Sequence, residues 1–115
     1  MTIERIESNQ RMSQAVIHND TVYLAGQVGN PGDGVAAQTQ TIVDEIDRLL
    51  ALAGTDKSKL LTATIWLADI GTFAEMNGVW DNWIGGQNQP TRATSEARLA
   101  GEEYLVEIIV TAARD

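Results

Sequence analysis

The feature that most constrains this chain is the run Tyr104 to Ala113, YLVEIIVTAA. Val106, Ile108, Ile109 and Val110 are β-branched, and the run is of strand length with no glycine or proline inside it, so it reads as a β-strand. Glu107 breaks the pattern. An unpaired carboxylate in an apolar strand either costs several kcal/mol to bury or titrates above its ordinary range. Arg92 lies fifteen residues upstream, after Pro90 and Thr91, at the opening of the preceding expected strand. A guanidinium and an inward-facing carboxylate on consecutive strands suit a small anionic substrate and its hydrolysis.

The rest of the composition narrows the chemistry. At 115 residues the chain has the size of a single domain, expected to span 1–115. With 43% apolar and 21% charged residues it is composed like a folded globular protein. Its net charge of -8 repels phosphate backbones and anionic membranes, so nucleic acid is not the expected partner, and a negative substrate needs a local cation. The absence of cysteine removes thiolate catalysis and Cys-ligated metals, and one histidine leaves a His-based zinc site or a Ser-His-Asp triad hard to assemble. Neither a metal nor a cofactor is expected. MTIERIESNQ lacks the apolar core of a signal peptide and no run approaches the length of a membrane span, so the expected location is cytoplasmic.

Taken in order, Ser13 to Ile17 and Thr21 to Gln27 flank the polar triplet His18-Asn19-Asp20 and read as two short strands. In the second, Val22 and Leu24 share a face, and Gly26 permits a close approach or a sharp turn. GNPGDG, Gly29 to Gly34, is loop, with Asp33 placed to cap a helix. Val35, Ile42, Ile46, Leu49, Leu50 and Ala53 recur at helical spacing, and Gly54 ends that helix. LLTATIWLA alternates as a strand, with Leu61, Ala63, Ile65 and Leu67 on one face. Thr72 to Glu75 matches a capping box, opening a helix to about Ile84 that buries Phe73, Met76 and Trp80 and stops at Gly85-Gly86. In RATSEARL, Arg92, Thr94, Glu96 and Arg98 share a face. The expected order is β-β-α-β-α-β-β, an α+β domain with both helices on one face of a small sheet. The other face keeps Trp66, Ala68 and apolar residues of the last strand, which predicts a homo-oligomer.

If the last two strands form a hairpin in which Leu99 pairs Tyr104, Glu107 stands opposite Glu96 and Arg92 opposite Thr111. A plain alternative is then a diagonal Glu107–Arg98 ion pair, worth about 0.2–1 kcal/mol. In the functional alternative, Arg92 and Glu107 lie about 13 Å apart along the hairpin and converge on a ligand. Arg92 grips a carboxylate with its planar fork, and Glu107 handles protons near neutral pH. His18 reads as a solvated turn residue, GNPGDG lacks the Lys-Ser/Thr ending of a phosphate loop, and Trp66, Trp80 and Trp83 read as packing.

The chain resembles the YjgF/RidA family of imine and enamine deaminases along nearly its full length. SQAV, YLAGQV, WLADI with FAEMN, PTR at Pro90 to Arg92 and VEI at Val106 to Ile108 carry the resemblance, the last two with their fifteen-residue spacing being the most specific. It implies a chorismate-mutase-like subunit, a barrel-like homotrimer with clefts between subunits, and cofactor-free hydrolysis of 2-aminoacrylate- or 2-iminobutyrate-type intermediates to 2-oxo acids and ammonia. By the same resemblance Arg92 holds the substrate carboxylate, Glu107 positions or activates water, and Gly26, Asn77 and Thr94 line the cleft. Met12 stands where many members carry a tyrosine, Thr94 where cysteine is frequent, Ala100 where proline follows leucine, and Ile109 where a second acid is usual. A non-catalytic carboxylate-binding or chaperone-like trimer is the alternative of a different class.

Overall fold

The computed structural model describes residues 2–115. Strands β1 (Ile3–Ser8), β2 (Ser13–His18), β3 (Thr21–Leu24) and β4 (Gln27–Val28) precede helix α1 (Val35–Leu52). Strand β5 (Leu60–Leu67), helix α2 (Phe73–Ile84), β6 (Thr91–Glu96) and β7 (Val106–Ala113) complete the chain. Among the described residues the sheet runs β1-β2-β3-β7-β5-β6, with β4 also paired to β7. Among the described residues only β5 and β6 run parallel, because α2 carries the chain back to the end of the sheet at which β5 begins. β7 pairs β5 antiparallel from its other side.

Both helices cover one face of this mixed sheet. Ile42, Val43, Ile46, Leu49 and Leu50 of α1 meet Ala63, Ile65 and Leu67 of β5 and Val106, Ile108, Val110 and Ala112 of β7, all buried. Each fully buried Leu or Ile contributes about 1.5–3 kcal/mol relative to exposure, so this layer is the chief source of stability. Gln38 sits inside it with no exposed surface. Its Nε2 donates to the Asp33 and Glu103 carbonyls and its Oε1 accepts from the Leu105 N–H, at 2.8, 2.9 and 2.9 Å, pinning two loops to α1. The opposite face leaves Tyr23 and Val28 exposed and Trp66, Ile109 and Thr111 half-buried.

Several expectations change. β1 and β4 add to the expected order, and the last strand starts at Val106 rather than Tyr104. A bulge between Leu60 and Thr62 shifts the alternation, so Leu60 is buried and Leu61 is 45% exposed. No capping box forms at Thr72: its hydroxyl donates to the Asp69 carbonyl, and Glu75 accepts from the Ala36 N–H at the start of α1 instead. Asp33 caps nothing with its side chain, the α1 N-cap being Gly34. Gly54 and Gly85 end the helices with φ of 84° and 72°, as expected of glycine in the left-handed region.

Candidate active site

β6 is an edge strand, and Arg92, in register with buried Ala63, leaves it on the helix-covered face. There Arg92 Nη1 donates to Asn77 Oδ1 of α2 at 2.7 Å. Its guanidinium carbon lies 5.6 Å from the Phe73 ring centroid and 5.4 Å from that of Trp80. Arg48 and Arg114 are each paired with carboxylates, at 2.6–2.7 Å. Among the described residues the half-buried Arg92 has no such partner, in a chain with sixteen acids and eight Lys and Arg. Its positive charge is oriented and un-neutralised. Two residues on, Thr94 shares this face, with its Oγ1 buried and without a hydrogen-bond partner.

Glu107 belongs to the other face. β7 alternates, burying Val106 and Ile108 under the helices and turning Glu107 away from them, beside Trp66 of β5 and Val28 of β4. No hydrogen bond or ion pair reaches its carboxylate among the described residues, and burial raises its pKa above the ordinary 4.5. Gly26 makes the room for it. A Cβ built at position 26 would stand 2.0 Å from Glu107 Oε2, so a side chain there is incompatible with this position of the acid. Met12 lies exposed in the β1–β2 turn, its Sδ 4.0 Å from Gln14 Nε2, while Gln14 Oε1 accepts from Gln27 Nε2 at 3.0 Å; Gln27 is buried in register with Ile108, so these contacts do not bring Met12 to Glu107.

The residues singled out by sequence therefore form two half-sites. Arg92, Asn77 and Thr94 lie at α2 and β6, Gly26 and Glu107 lie across the sheet, and Met12 stays in the β1–β2 turn. The expected hairpin does not exist, since β5 runs between β6 and β7, with Trp66 flanked by Ser95 on one side and Glu107 on the other. The parallel crossover through α2 displaces β6 from β7. Arg92 is two strands across and three residues along from Glu107, about 14 Å between backbones at 4.8 Å per strand and 3.3 Å per residue, and on the opposite face. The two groups do not share a ligand within one chain, and the Glu107–Arg98 ion pair is absent as well. A groove of about 700 Å³ by Glu96, Ala97, Arg98, Leu99 and Tyr104 opens on neither of them.

Sequence reasoning missed Phe73 and Trp80 as the supports of Arg92. Their spacing with Asn77, at i, i+4 and i+7 on α2, is a visible signal, although in the sequence both aromatics read as core packing. Phe73 is 39% exposed rather than buried. No group of three or more His, Cys, Asp or Glu that could hold a metal occurs among the described residues, and no helix of the structure is long and apolar enough to cross a membrane.

Known proteins share this arrangement of elements. A RutC family protein of Haemophilus ducreyi is 46% identical over 112 residues, 96% of either chain. The crystal structure of a YjgF-family protein from Neisseria meningitidis matches with a TM-score of 0.96 at 44% identity, covering 100% of this chain and 97% of that one. More distantly, a 2-iminobutanoate/2-iminopropanoate deaminase of Rattus norvegicus is 31% identical over 104 residues, 84% of this chain and 74% of that protein. The family model described as Endoribonuclease L-PSP matches residues 2–114. Sequence and fold thus agree from end to end, and the chain belongs to the YjgF/Rid family.

Proposed function

We propose that the protein hydrolyses short 2-imino acids, formed from enamines such as 2-aminoacrylate, to 2-oxo acids and ammonia, in clefts between the subunits of a homotrimer. The observation that carries this reading is the pair of unpartnered charges. Arg92 is a fixed cation without an acid, and Glu107 is a desolvated acid without a cation. They face away from each other in one chain, so a neighbouring copy is needed to complete the site. The exposed Val28 beside Glu107, and the exposed Tyr23 further along β7 at Thr111, offer the apolar surface that such a copy would cover.

In this scheme the remaining in-plane N–H groups of Arg92 take the substrate carboxylate, which a lysine could not grip in the same plane. Glu107 of the adjoining subunit removes a proton from water as the oxygen attacks the imine carbon. That proton passes to nitrogen to give a carbinolamine; transfer of the remaining hydroxyl proton to nitrogen through Glu107 then breaks the C–N bond, and ammonia leaves as the C=O of the 2-oxo acid forms. The raised pKa, caused by burial, makes Glu107 a stronger base than an ordinary carboxylate and so better suited to accept and return a proton. The Rattus norvegicus relative is named for this reaction class. RNA is disfavoured by the net charge of -8 and by the engagement of Arg48, Lys59 and Arg114 with carboxylates.

Freshly generated 2-iminobutyrate, with 2-oxo acid release followed optically, tests the proposal. Acceleration over the buffer rate that disappears in Glu107→Gln supports it. Carboxylate binding without acceleration would overturn it in favour of a metabolite-binding role.

A further inference from the structure

Arg92 is held by neutral groups alone. Phe73, Asn77 and Trp80 form one stripe of α2, and the guanidinium lies over it, hydrogen-bonded to Asn77 and near both rings. The two rings differ. Phe73 is 39% exposed and Trp80 only 5%. Trp80 packs edge-on against Trp83, at 5.4 Å between centroids and 63° between planes. The Trp83 indole N–H in turn donates to Asp47 of α1 at 3.1 Å, so the floor beneath Arg92 is tied through to the first helix.

An arginine that must receive an anion faces two opposed requirements. Its long side chain has to be ordered beforehand, yet a carboxylate that ordered it would occupy its donors and cancel its charge. An aromatic face resolves the conflict, because it attracts the cation without using any in-plane N–H. We propose that Trp80 is a positioning residue for the carboxylate anchor: its indole holds the guanidinium so that the N–H groups not taken by Asn77 stay open to the substrate carboxylate. This role rests on the reaction proposed above and deepens it. Trp80 itself touches no substrate.

Trp80→Leu keeps apolar bulk and removes the π face, whereas Trp80→Phe keeps a ring. Calorimetric titration with 2-oxobutanoate, a stable carboxylate probe, is paired with steady-state kinetics on the imine. Loss of the cation–π contact should raise Kd and KM about threefold to tenfold in Trp80→Leu with kcat nearly unchanged, while Trp80→Phe recovers most of the affinity. The acid limb of the pH profile should stay in place in both variants. Wild-type affinity in Trp80→Leu, or a fall in kcat at constant KM, would overturn the role. Should Trp80→Leu not fold, the indole N–H resonance of Trp80 in the wild-type protein decides: it must shift as 2-oxobutanoate saturates, and an unmoved signal overturns the role. Failure of the wild type to bind 2-oxobutanoate would remove the proposed reaction itself, and this role with it.

Discussion

Room for the Glu107 carboxylate exists because residue 26 has no side chain. Gly26→Ala should push the acid out of its slot, and since a displacement of about 1 Å can cost about 10²-fold in rate, kcat/KM should drop by that order while the melting temperature changes little. Steady-state kinetics beside a thermal melt checks this. The raised pKa of Glu107 has its own signature, traced to burial. A carboxyl whose folded value exceeds its unfolded value contributes most to stability when protonated, and that contribution is lost as pH rises through the folded value. Glu107→Gln should therefore melt above the wild type at pH 8, with the difference closing by about pH 4. Activity should run the opposite way, falling as acid protonates the base, and a flat acid limb in the wild type would exclude Glu107 from proton transfer. Thr94 offers a third test. Its buried hydroxyl lacks a partner, so Thr94→Val should leave stability unchanged or raise it by about 1 kcal/mol in urea unfolding.

Among the elements, those with a clean apolar period were legible in the sequence. Helix α1, ended by Gly54, and helix α2, ended by Gly85, follow from spacing and from the glycine stop. Strand β1 did not announce itself, because IERIES is an edge strand with most of its side chains exposed and no buried face to impose alternation. Pairing with β2 and the ion pairs Glu7–Arg48 and Glu4–Arg114 hold it in place instead. The partner of β6 was equally hidden. Successive strands more often neighbour one another than not, and nothing local in TRATSE specifies β5 rather than β7. The site residues were thus identifiable by type and spacing, but the face of the sheet each occupies was not. Gln38, a polar residue between the apolar positions of α1, is a buried tie between two loops. Gln38→Ala would leave the Leu105 N–H and the Asp33 carbonyl without a partner and the Glu103 carbonyl with only the 3.5 Å bond from the Gly32 N–H, and should cost about 3 kcal/mol in chemical denaturation. A loss under about 1 kcal/mol would mean that water replaces it.

At the scale of the whole molecule, the chain is a slab 43 × 36 × 20 Å, the thickness of two layers, with helices on one side only. Its acid and its cation lie on opposite faces of the sheet. The proposed hydrolysis therefore requires the assembly of copies of the chain. In the proposed site one chain lends Arg92 and its neighbour lends Glu107, and mixing two inactive variants tests this directly. Arg92→Ala and Glu107→Gln should each be inactive on their own. After subunit exchange in equal amounts, about a quarter of the clefts in a cyclic assembly draw both intact groups from different chains, and activity should return to about that fraction of the wild type. Exchange verified by mass spectrometry with no recovered activity would contradict a site shared between chains.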